Sequence, residues 1–126
     1  MTQSELQVPD FEKLPQVASS RLIDFDPEKT EVRPGIVNGT YILIVRGNAP
    51  YLNMKVNLVP LVHIRQPEYW GIEVTGTLSD GFGLTALEPY TVSLSLNGTI
   101  GTQGIEVIGA NTTKKIQVPQ NNVANI

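Results

Sequence analysis

A chain of 126 residues, 40% hydrophobic and 17% charged, is long enough to bury one core, and its composition excludes disorder of the whole chain. The absence of cysteine excludes a disulfide frame, a thiolate nucleophile and any cysteine-based zinc or iron–sulfur site. A net charge of -3 and a pI near 5.0, with Arg33, Arg46, Lys55 and Arg65 scattered and Lys114-Lys115 the only basic pair, argue against nucleic acid as a partner, because phosphate backbones need several cations converging on one face.

Residues 1–20 read as a polar arm: Pro9 and Pro15 interrupt them, and neither a helical nor a strand period is sustained. Glu5, Asp10 and Glu12 in this arm, with Asp24, Asp26, Glu28 and Glu31 just after it, make the N-terminal quarter the acidic part. Met1 to Gln16 has no basic segment followed by an apolar one, and no window approaches the ~18 apolar residues of a membrane span. The expected location is therefore cytoplasmic, with no membrane span.

A β domain is expected over residues 21–118. Arg21 to Phe25 is a short extended segment stopped by Asp26-Pro27, because the residue before a proline is pushed out of the helical region. After the turn-like Arg33-Pro34-Gly35 and Asn38-Gly39, the run Tyr41 to Val45 is apolar on both faces and rich in β-branched residues, as in a strand covered on both sides. Gly47-Asn48-Ala49-Pro50 reads as the turn that closes it. Tyr51 to Leu58 alternates, with Leu52, Met54, Val56 and Leu58 sharing one face.

Beyond Pro60, Leu61 to Gln66 places Val62 and Ile64 on an apolar face and His63 and Arg65 on the opposite, wetter one. Tyr69 to Leu78 alternates again, and Ser79 to Gly83 breaks the pattern as a loop. Tyr90 to Leu96 points Val92, Leu94 and Leu96 inward and leads to Asn97-Gly98, the dipeptide of a two-residue hairpin. Ile105 to Ile108 and Lys114 to Val118 are the last strands, and 119–126 is a polar tail expected to fray. Seven or eight short strands punctuated by Gly, Pro and Asn predict an all-β, single-domain sandwich of immunoglobulin or fibronectin III type, with a small barrel as the alternative.

Leu87-Glu88-Pro89-Tyr90-Thr91-Val92 resembles, over six residues, the corner of fibronectin type III domains, where Leu-x-Pro precedes a Tyr-x-Val strand. The resemblance implies a hydroxyl of Tyr90 that bonds back to the chain.

Candidate chemistry is sparse. His63 is the only histidine, so any imidazole mechanism must run through it, with Glu73 as the expected cross-strand carboxylate; a surface histidine beside Arg65 is the simpler reading. Asp24, Asp26 and Glu28 recur at every second position, as oxygen ligands would, but the loop lacks the glycine and distal glutamate of a calcium site. Gly81-Phe82-Gly83-Leu84-Thr85-Ala86 has the letters of a dinucleotide loop, but Pro89 would break the helix that such a loop must open. Phe82, between two glycines, is either tucked under its loop or a contact residue. Asn38, Asn97 and Asn111 each begin an Asn-x-Thr acceptor for N-glycosylation, and in the first two turn chemistry explains the Asn-Gly pair.

No complete catalytic constellation, metal site or cofactor motif emerges. The functional expectation is a non-catalytic binding or assembly module that associates with a protein partner or with itself through sheet edges or faces, with Phe82, His63 and Arg65 as candidate contact residues. The alternative is a small-molecule-binding barrel or enzyme whose pocket is lined by Tyr41, Tyr51, Tyr69 and Trp70.

Overall fold

A computed structural model describes residues 19–79 and 83–119. They form eight strands: β1 Ser19–Leu22, β2 Glu31–Pro34, β3 Tyr41–Tyr51, β4 Lys55–Pro60, β5 Tyr69–Leu78, β6 Thr85–Ser95, β7 Gly104–Ile108 and β8 Thr113–Gln117, with a single 3-10 turn at Pro27–Lys29. Two sheets face each other, one of five strands and one of three (β2-β3-β6), and neither closes into a barrel. The all-β sandwich is therefore the architecture.

β5 organises the larger sheet. One of its edges pairs antiparallel with β4, from Ile72 to Thr77. The other edge is shared: Tyr69–Glu73 runs parallel to β7, and Thr75–Leu78 runs antiparallel to β1. β8 continues the sheet beyond β7. The parallel β5–β7 pair distinguishes this connectivity from the wholly antiparallel sheets of immunoglobulin domains.

Between the sheets, Leu43 and Val45 of β3 meet Ile72 and Val74 of β5 and Ile105 and Val107 of β7, all with no residual exposure. Alternation produces this: on each strand every second side chain turns inward. On β3 the other set, Ile42 and Ile44, stays only partly covered, so the strand is covered on one face and not on both. β3 also runs straight through Gly47-Asn48-Ala49-Pro50 to Tyr51, where a turn was expected. Gly47 serves close approach: a Cβ there would lie 2.7 Å from the Tyr90 hydroxyl and 3.0 Å from Phe25 Cα. Opposite the end of β3, the stretch Ala49–Tyr51 faces Glu88–Thr85, so β6 carries one extra residue and bulges there.

The Tyr90 hydroxyl donates to the Asp24 carbonyl at 2.7 Å, so it does bond back to the chain, but to a segment 66 residues upstream. It thereby pins β6 of the small sheet to the chain leaving β1 of the large one. Burial, followed by the nearby Asp24 charge, pushes the Tyr90 pKa up to about 12.

Two measurements check this frame. Ile72→Ala should cost about 2–5 kcal/mol in urea denaturation, whereas Val62→Ala and Ile64→Ala should stay within about 0.5 kcal/mol, because the latter side chains are fully in water. Because the folded state raises the Tyr90 pKa above its usual 10, stability from this group is complete below pH 10 and is lost as pH climbs through about 12. Tyr90→Phe should remove that alkaline loss and lower stability at neutral pH by about 1 kcal/mol for the missing hydrogen bond.

Candidate functional site

At one end of the sandwich β3, β5 and β7 begin and β2, β4 and β6 finish, so three connections gather there. The β2–β3 connection turns at Asn38-Gly39, with Gly39 at φ 82°, and is closed by Gly35 N–H donating to Thr40 O at 2.8 Å. The connection from β6 to β7 turns at Asn97-Gly98, with Gly98 also at φ 82°. Positive φ explains both Asn-Gly pairs. The second turn is not a hairpin, however: it carries the chain from the small sheet across to the large one.

The β4–β5 connection, 61–68, holds the largest correction. It forms no strand. Leu61 still bonds Gly71 and then the chain leaves the sheet, so Val62 and Ile64 stand 94% and 100% exposed while His63 turns inward. The expected faces are inverted. The His63 ring meets Trp70 edge-on, with centroids 5.1 Å apart, and Trp70 Nε1 donates to Leu61 O at 2.8 Å. His63 Nε2 is buried and has no hydrogen-bond partner among the described residues. Glu73 is not its neighbour, since it registers with Val59 and Ile108. Thr102 and Gln103 donate to the carbonyls of Pro67 and Glu68, each at 2.8 Å, and zip this connection to the one before β7.

Between the three connections lies a cleft of about 350 Å³. Tyr41 and Trp70 contribute its aromatic walls, and Leu96, Ile100 and Pro119 add apolar surface. Thr40, Gln66 and Asn97 supply polar atoms, and none of the described lining residues is charged. Two of these polar groups are already oriented: Gln66 Nε2 donates to Ile100 O at 2.9 Å, and the Thr40 hydroxyl donates to Val37 O. Of the four aromatics expected to line one pocket, only Tyr41 and Trp70 share it. Tyr51 lies beneath Arg21 and Tyr69 beneath Lys115.

Other sequence candidates do not converge here. Arg65 is exposed on the 61–68 connection. Phe82 lies outside the described residues, and Leu84 onward leads into strand β6 rather than the helix that a dinucleotide loop requires. Two carboxylates of the acidic motif are engaged in structural hydrogen bonds. Asp24 accepts from the Asn111 backbone and side-chain amides at 2.6 and 3.1 Å, and Asp26 caps the 3-10 turn through Glu28 N–H at 3.0 Å. Among the described residues, no three His, Cys, Asp or Glu side chains gather as metal ligands would.

Sequence reasoning named Tyr41 and Trp70 as pocket residues but missed Thr40, Gln66, Asn97 and Ile100, because the walls come from strands and loops distant in the chain. The two Asn-Gly pairs were its legible trace. A buried, unpaired nitrogen costs about 1–3 kcal/mol, so His63→Phe, which keeps a ring against Trp70, should raise the melting temperature by a few degrees, while His63→Ala should lower it. No known protein family, curated protein or solved structure matches this chain, so its functional reading rests on its own residues.

Proposed function

We propose that this domain is a non-catalytic assembly module that associates with a second copy of itself through the loop end of the sandwich. The supporting observation is the exposure of aliphatic side chains on two loops that rim one cleft: Ile36 and Val37 before Asn38-Gly39, and Val62 and Ile64 between β4 and β5. Single exposed aliphatics are ordinary on protein surfaces, but a group gathered at one end supports the reading of a contact surface.

Charge favours a second copy as the partner. Arg65 and Glu68 are both exposed on the same connection, and neither takes part in an ion pair among the described residues. A two-fold contact brings a surface against itself, so opposite charges on one loop can pair reciprocally across the axis. Sheet edges are poorer candidates than the loop end, because four of the five strands with an open edge carry a blocking residue. β2 ends on Pro34, β4 runs from Lys55 to Pro60, β6 is interrupted by Pro89, and β8 carries Lys114 and Lys115.

No helix among the described residues is long and apolar enough to cross a membrane. Sedimentation equilibrium over a range of concentrations tests the proposal. The unmodified protein should associate reversibly, and the double variant Ile36→Ser/Ile64→Ser should sediment as a monomer with an unchanged melting temperature, since both side chains are already in water. A strict monomer for the unmodified protein at the highest concentrations would overturn it, as would association undiminished in the double variant.

A further inference from the structure

We propose that the cleft at the loop end binds a neutral, polyhydroxylated ligand the size of one or two sugar rings. This goes beyond self-association and does not depend on it, because none of the four exposed aliphatic side chains lines the cleft.

Three properties of the cleft point to this ligand class. The first is charge: none of its described lining residues is ionisable near neutral pH, so nothing there repays the desolvation of a phosphate, a carboxylate or an amine. The second is the pairing of walls. Tyr41 and Trp70 rest against the core and offer aromatic surface to the apolar C–H face of a sugar ring, while Thr40, Gln66 and Asn97 offer polar atoms to its rim.

The third property is orientation. The Gln66 side chain has one N–H committed to Ile100 O, which fixes its plane and leaves its carbonyl oxygen and second N–H. The Thr40 hydroxyl has given its proton to Val37 O, so toward a ligand it can only accept. Acceptors locked in this way suit ligand hydroxyl groups, which donate and accept at neighbouring carbons. The surrounding backbone is held by Thr102 and Gln103 bonding Pro67 and Glu68, so the site is formed before a ligand arrives and little ordering entropy is left to lose.

The volume supports a compact ligand. About 350 Å³ lies at the small end of ligand pockets and takes a ring or two, whereas a proline-rich peptide needs an extended groove.

Trp70 is the only tryptophan in the chain, so its fluorescence reports on this cleft alone. The test titrates the full-length protein with glucose, galactose, mannose, N-acetylglucosamine, cellobiose, maltose and lactose, followed by fluorescence and by saturation-transfer NMR of the sugar protons. At least one of these probes should give a saturable signal with a Kd in the millimolar range or tighter. Gln66→Leu and Thr40→Val should each weaken it about tenfold, which is the loss expected for one hydrogen bond, with the folded circular-dichroism spectrum kept at the titration temperature. Glucuronate, glucose 6-phosphate and a polyproline peptide are the contrasting probes.

Silence of every neutral sugar in both measurements would overturn the proposal. So would binding that survives both substitutions, or a preference for the anionic sugars or the peptide. Because sedimentation of the ligand-free protein reads association separately, failure of either proposal leaves the other standing or falling on its own result.

Discussion

The structure depends on β5 having its backbone satisfied on both edges by three different strands. β4 takes one edge, and the other is divided at its middle, with β7 parallel to the first half and β1 antiparallel to the second. Since a buried strand cannot leave N–H and C=O groups unpaired, β1 and β7 must meet end to end, and Ala110 donating to Ile23 O closes that junction. Asp24 reinforces it by holding Asn111 through both carboxylate oxygens. Asp24, the first carboxylate of the run that looks like a ligand set, is in the folded chain part of this seam.

From the parallel pairing follows the position of the cleft. β5 and β7 start at the same end, so the connections leading into them gather there, next to the turn into β3. A wholly antiparallel arrangement would send one of those connections to the opposite end. Trp70, as the second residue of β5, is thereby carried to a place where Tyr41 at the start of β3 faces it across the gap between the sheets. The loops are also unequal in construction. Backbone hydrogen bonds tie the connections before β5 and β7 to each other, while Ile36, Val37, Val62 and Ile64 stand in water on the connections before β3 and β5.

Much of the fold was legible because alternating hydrophobicity is a local property. β5, β7 and β8 fall close to their expected positions, β6 covers most of its expected span but already begins at Thr85, and Val92, Leu94 and Leu96 turn inward as their spacing requires. Among the readings that failed, three show reasons that are not local. β2 is short and polar and exists because β3 offers it an edge, with Glu31 accepting from Arg46 of β3 to hold it down. Gly47 looked like turn chemistry but answers to Tyr90 and Phe25, which arrive from distant parts of the chain. The 61–66 segment alternates as well as any strand, but no strand lies alongside it to pair with, so the chain turns away and His63 finds Trp70.

What the sequence determined by itself was the class of structure. Period-two hydrophobicity broken by Gly, Pro and Asn allows extended segments that must bury one face against another sheet, and Asn-Gly at 38–39 and 97–98 dictates tight turns with positive φ. Only the tertiary structure decided which segments share an edge, and hence that one pair runs parallel, that Tyr41 and Trp70 flank a single cleft, and that Val62 and Ile64 face water while His63 does not. The physical reason is that strand pairing uses backbone hydrogen bonds, which every residue but proline can form and which carry almost no sequence signature. The partner of each edge is chosen by competition among all strands at once, after the local pattern has been laid down.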